Sequence, residues 1–157
     1  MQFSRVSYIT VKIHGKALNE YEDFYTRMSI DQKDLRQHNE IKRYIERIGK
    51  IYGAQDQFFK REGMAERLPP PTHRFIDSDG ETDFGLRLYC VRLNDELVVL
   101  LNGDRKTAQR VRDCLRCKPH YDLANKVSDA IYYAKRNGLI EIEGRDILMD
   151  EGFSLEL

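Results

Sequence analysis

The stretch that most constrains this chain is Phe84–Lys106, FGLRLYCVRLNDELVVLLNGDRK. Leu86–Leu93 and Glu96–Leu101 are rich in β-branched, aromatic and aliphatic residues, and Asn94-Asp95 between them suits a two-residue hairpin turn. Such a turn sets the register, because the numbers of cross-strand partners sum to a constant. Arg92 then faces Leu97, Tyr89 faces Leu100 and Arg87 faces Asn102. The second strand is apolar on both parities, which predicts a central strand covered on both faces. The first strand divides differently: Phe84, Leu86, Leu88 and Cys90 share one face, and Arg87, Tyr89 and Val91 share the other. Arg87 and Tyr89 on one face beside a basic loop make the most focused candidate site. A guanidinium offers a fixed fork of donors to phosphate oxygens, and its charge stabilises the transition state of strand cleavage. The plainer alternative is an outward strand with a solvated Arg and a half-buried Tyr.

The rest of the chain reads as elements around this hairpin. Phe3–Ile13 carries apolar groups on both parities and reads as a strand ended by His14-Gly15. Ala17–Met28 is a short helix with Leu18, Tyr21, Phe24 and Tyr25 in a stripe. Asp31 is the expected N-cap of a longer helix, Gln32–Tyr52, striped with Leu35, Ile41, Ile45, Ile48 and Tyr52. Gly53 suits a left-handed helix stop. The Phe58-Phe59 pair reads as a buried anchor. Leu68–Thr72 is a stiff polyproline-like connector, His73–Asp77 a short strand, and Asp79-Gly80 a turn. Beyond the hairpin, Lys106–Arg116 has helical composition, Pro119 interrupts it, and Tyr121–Asn137 is an amphipathic helix. Leu139–Glu143 and Phe153–Leu157 read as two short terminal strands. Segregated elements in this order predict an α+β fold, an antiparallel sheet with helices packed on one face.

A chain of 157 residues is long enough to bury one core, so one domain spanning 1–157 is expected, with a C-terminal extension over about 107–157. The 26 Lys and Arg balance the 26 Asp and Glu, so bulk charge points to no partner, but its distribution does. Gly103–Lys118 carries six basic residues against two Asp, whereas Ile140–Leu157 carries six acidic residues against one Arg. A neutral total therefore leaves room for a local anion site. The absence of a long apolar run and of a leader pattern, with an odd count of three cysteines, leads to the expectation of a cytoplasmic chain with reduced thiols and no membrane association.

Three further motifs carry chemistry. Asn102-Gly103-Asp104-Arg105-Lys106-Thr107 puts a glycine turn before cations and an expected helix start, an arrangement that binds phosphate through backbone amides, although it lacks P-loop spacing. Its alternative is a strand-to-helix turn with Asp104 as the N-cap. Cys114-x-x-Cys117-x-x-His120 has the spacing of a single metal knuckle, but structural zinc pairs two knuckles, so thiols packed at a helix end are expected and no metal or other cofactor. His73-Arg74 lies close to the hairpin in sequence and can supply a general acid or base, or be merely solvated.

Gly53–Lys60, Leu86–Arg92 and Val98–Thr107 together resemble the RelE/ParE superfamily of toxins from bacterial type II toxin–antitoxin modules, closest to its phage-derived, HigB-like branch of Bacteroidetes type. The shared pattern is a loop with paired Phe, an Arg-x-Tyr strand, an apolar strand, and a Gly followed by a basic tail. The resemblance covers roughly Ile41–Lys106. It implies a RelE-like antiparallel sheet with N-terminal helices on one face, to which extra C-terminal helices would be added here. It also implies an mRNA interferase, a metal-independent endoribonuclease, in some relatives ribosome-dependent, that is blocked by an antitoxin, a small DNA-binding protein. Carried over by position, Arg87 matches the strand arginine expected at the scissile phosphate, Tyr89 holds the Arg-x-Tyr position, and Arg105 and Lys106 match the basic residues expected on flanking RNA phosphates. Beside these matches, Tyr89 or His73 is expected to handle protons and Arg92 to bind RNA phosphate as well. The chain departs from that pattern in its neutral charge, its length and its acidic tail. The alternative is a non-catalytic protein of the same fold, including one that inhibits a topoisomerase by contact.

Overall fold

The computed structural model describes residues 1–157. Its centre is a five-stranded sheet in the order β1-β5-β4-β3-β2. The strands are β1 (Ser7–Thr10), β2 (Lys60–Glu62), β3 (Ala65–Leu68), β4 (Leu86–Asn94) and β5 (Leu97–Arg105). All neighbours are antiparallel except β1, which runs parallel to β5, so the sheet is mixed rather than purely antiparallel. The fold is α+β, as the segregated elements predict.

Three helices cover this sheet. Asn19 caps α1 (Glu20–Met28) through a reciprocal capping box with Glu22, which shortens the helix expected from Ala17. Asp31 caps α2 (Gln32–Arg47) by accepting the amides of Lys33 and Asp34. The chain then runs on through a π-turn, Ile48–Tyr52, to Gly53. Gly53 has φ 78° but ψ 164°, so it is extended on the glycine side of the map rather than left-handed helical. The third helix, α3 (Lys118–Arg136), has Pro119 in its first turn, where it starts a helix instead of breaking one.

Helices lie on both faces of the sheet, not on one. Leu86, Leu88, Cys90, Val98 and Leu100 point into a core with Phe24, Ile41, Ile45 and Ile48 of α1, α2 and the π-turn. Tyr89, Val91, Val99 and Leu101 point into a second core with Ala124, Val127 and Ile131 of α3. The expected faces of β4 and the double coverage of β5 are both present. Burial at successive positions requires this, because alternate side chains on a strand point in opposite directions.

The central register differs from the simple hairpin expectation. The turn is Asp95-Glu96, one residue further on, and Asn94 pairs with Leu97. That turn by itself brings Arg87 opposite Asp104 rather than Asn102, and two irregularities, at Arg92/Asn94 and Leu88/Cys90, shift the ladder between them by one residue and back. The β2–β3 hairpin falls in a stretch to which the sequence assigns no element, and its charged residues hide it: Glu66 is buried and accepts from Arg92 N and Arg61. His73–Asp77 is loop rather than strand. Lys106–Arg116 is irregular apart from one short turn, Val111–Asp113, so the extension adds one helix and not two. The terminal hairpin is β6 (Ile140–Glu143) with β7 (Asp146–Met149), and Phe153–Leu157 is not a strand. No helix is long and apolar enough to cross a membrane.

Candidate functional site

The α3 face of the sheet carries an unusual concentration of cations where β3 and β4 meet the basic loop. Arg67 on β3 lies opposite Tyr89 on β4 and opposite Lys60 on β2, so these side chains share a face with Arg87. Arg87 is largely buried. Its Nη1 donates to the carbonyl of Leu86 at 3.1 Å, and its buried Nε has no partner. No carboxylate forms an ion pair with it. Burial, followed by the neighbouring Arg67, pushes its guanidinium down to about 10, only partly offset by Tyr89, Cys117 and Glu62.

Arg67 is buried too, but it is better satisfied. It donates to Pro69 O at 2.7 Å and lies 3.5 Å from Glu62. Lys106 follows β5 and is tied to the segment entering β4 by backbone bonds with Phe84 and Gly85. Its ammonium lies 5.5 Å from the Phe84 ring centre and is held below its usual value by burial and by Arg87. Thus Arg87, Arg67 and Lys106 face one carboxylate, Glu62, already shared with Arg67. An arrangement of cations without counter-charge is a site for an anion, because the missing charge lowers the energy of whatever phosphate or carboxylate supplies it.

Gly103 makes the close approach of β5 possible. A Cβ there would lie 1.7 Å from the carbonyl oxygen of Arg87, so no other residue fits this point of the ladder. Asp104 lies across the ladder from Arg87, yet its carboxylate is held by Arg27 and Arg116, each at 3.1 Å.

The remaining residues singled out in the sequence are distributed differently. Tyr89 is 1 % exposed, packed edge-on beneath Tyr121 with ring centres 6.0 Å apart, and burial pushes its phenol far up. It supports the floor of the site and offers no phenol to a substrate. His73 is near enough for the charge of Arg87 to lower its pKa, but burial lowers it more. Its Nδ1 shares a hydrogen bond of 2.8 Å with the Tyr44 hydroxyl, and its Nε2 lies 3.2 Å from Glu40 without hydrogen-bond geometry.

Arg105 points to the opposite face, where Asp34, Asp83 and Gln37 occupy its guanidinium. It locks β5 to α2 and to the Asp77–Asp83 loop, its charge compensated by two carboxylates on the face away from Arg87. Arg92 stands at the other end of β4, five residues and about 16 Å from Arg87 at strand rise. It donates to Ala54 O and pairs with Asp95, staples that close the hairpin end. The acidic loop is likewise structural: Asp79 accepts the amides of Glu81, Thr82 and Asp83, and Asp83 binds Lys33 and Arg105.

With no helix starting at Thr107, the expected helix-end phosphate cradle and the Asp104 cap are both absent. Cys114 and Cys117 are buried thiols. Cys114 Sγ accepts from the amides of Thr107 and Cys117, each at 3.4 Å, and Cys117 Sγ donates to Asp104 O. They hold the start of α3 against the end of β5. Sequence reading missed Arg67 and Lys60 because the β2–β3 hairpin that delivers them went unrecognised. The alternation Arg61-Glu62 and Glu66-Arg67 around Gly63 was the available signal. No family model matches the chain, and neither a curated protein nor a solved structure matches it.

Proposed function

We propose that the chain binds RNA through the Arg87 site and acts as the toxin of a type II toxin–antitoxin pair, a RelE-like, metal-independent endoribonuclease. The observation that carries the reading is the uncompensated guanidinium of Arg87, flanked by Arg67 and Lys106 on one sheet face. Two helices following β1 and packed on the opposite face support the RelE-like arrangement. In the proposed step the ribose 2′-oxygen loses its proton and attacks the adjacent phosphorus. The bond to the 5′-oxygen breaks, that oxygen takes up a proton, and a 2′,3′-cyclic phosphate remains. Arg87 stabilises the extra negative charge at phosphorus. Lys106, already lowered by Arg87 and by burial, is the group suited to move a proton at the sugar oxygens. Exposed Arg112 in the following loop, which forms no ion pair, suits a flanking phosphate, and Arg110 and Arg116 add to the basic potential there. The partner would be a small DNA-binding antitoxin, and the ribosome would present the message.

A second reading is favoured by the inward position of Tyr89 and the occupied ring of His73: a protein that binds the phosphate chain without cutting it. Induced expression separates the two. Arrest of growth with cuts in translated messages, lost in Arg87→Ala and relieved by the neighbouring reading frame, supports the toxin. Protection of RNA by the wild type without cuts, also lost in Arg87→Ala, supports the binder. No RNA interaction by the folded wild type refutes both.

A further inference from the structure

A cavity of about 930 Å³ lies at the β1 edge of the sheet, along the middle of α3 and away from the Arg87 site at that helix's start. Four parts of the chain wall it: Val11 after β1, Ile131 of α3, Ile147 of the β6–β7 hairpin, and Leu155 of the tail. The walls are mainly apolar, and their size lies in the range of small-molecule sites, roughly 300–1,000 Å³. The charge of the lining is one-sided. Lys12, His14 and Lys16, alternate positions of the segment after β1, are among the lining residues, and no aspartate or glutamate lines the cavity. This is notable beside an acidic tail, because Glu151 and Glu156 flank the lining residues and yet stay out of it. Lys16 also lies 3.6 Å from Glu20, whereas Lys12 has no ion pair.

An apolar cavity whose only charged lining side chains are basic matches one ligand chemistry, a long apolar tail ending in an anionic head. We infer that this cavity binds a long-chain carboxylate, its alkyl chain along Val11, Ile131 and Ile147 and its head at Lys12 and Lys16. The alkyl chain supplies the bulk of the affinity, at about 0.8 kcal/mol for each CH₂ removed from water. The lysines select the head group and fix its direction. The inference is independent of the RNA reading, since the two sites share no residue.

Titration calorimetry with dodecanoate below its micelle concentration tests it, beside dodecanol and dodecyltrimethylammonium. The expected result is one dodecanoate per chain. Lys12→Glu/Lys16→Gln should bind dodecanoate about tenfold more weakly and dodecanol equally, because two exposed charge contacts together contribute on the order of 1–2 kcal/mol. Ile147→Trp, on the β6–β7 hairpin, should narrow the cavity where the alkyl chain is placed and weaken binding while circular dichroism stays native. Absence of saturable dodecanoate binding would overturn the inference. So would equal binding of the cationic amphiphile, unchanged binding in a folded Ile147→Trp, or capture of an apolar peptide with no dodecanoate binding.

Discussion

Replacing Arg87 by methionine should stabilise the fold while removing the proposed anion site. A guanidinium held at about 10 instead of 12.5 is disfavoured by about 3 kcal/mol, at roughly 1.36 kcal/mol per pH unit. Burial is the larger cause and Arg67 the second, and methionine relieves both while keeping an unbranched stem of similar length. Its buried Nε, which finds no partner, also disappears. Some of the gain is lost with the bond to Leu86 O, which leaves about 1–2 kcal/mol net. For a domain of this size that is a rise in melting temperature of about 2–4 °C per kcal/mol. Thermal melts at low salt measure it. Adding a 2′-O-methyl oligoribonucleotide, which lacks the attacking hydroxyl, should raise the wild type by about 2.7 kcal/mol at roughly a hundredfold excess over Kd and leave Arg87→Met where it was. A variant that melts below the wild type, or an oligonucleotide shift equal in both proteins, would refute the view that Arg87 is a strained cation awaiting an anion.

The other predictions follow from contrasting environments. Arg105→Met should cost about 3 kcal/mol in urea denaturation, opposite in sign to Arg87→Met, because it strands Asp34 in a partly buried site and leaves Asp83 with Lys33 alone. Gly103→Ala should fail to give soluble protein, or melt far below the wild type, since its methyl has to share space with the Arg87 carbonyl. His38 is enclosed by Tyr21, Phe24 and Tyr25 with both ring nitrogens unpartnered, and burial lowers it from 6.5 to about 4. Its folded pKa is below its unfolded one, so stability is full above 6.5 and falls as pH drops toward 4. Urea melts at pH 7 and pH 5 should show that loss, and His38→Phe should lessen it. Asn19→Ala should cost about 1 kcal/mol by opening the capping box, read from the same melts.

Local chemistry made part of this protein legible in advance. Asp31 and Asn137-Gly138 mark helix ends because a cap or a positive-φ residue acts within one turn of chain. Gly138, with φ 71°, follows the end of α3. The faces of β4 and the double burial of β5 were readable because strand alternation is a property of the backbone alone. Arg87 stood out for the same reason.

What the sequence could not settle depended on residues far apart in the chain. Arg105 and Lys106 are neighbours in sequence, equally basic, and opposite in role. One turns toward Asp34 and Asp83 of distant segments, the other toward Arg87. The β2–β3 hairpin forms from charged residues because Glu66 finds Arg92 N and Arg61, and because Asn125 and Ser128 of α3 clamp the turn at Met64. Lys106–Arg116 has helical composition but stays irregular where Cys114 and Cys117 tie it to β5. The sequence by itself determined which segments would be helix or strand wherever the deciding forces were local. The tertiary structure alone decided which cations were neutralised and which were left bare, because charge compensation depends on distance in space.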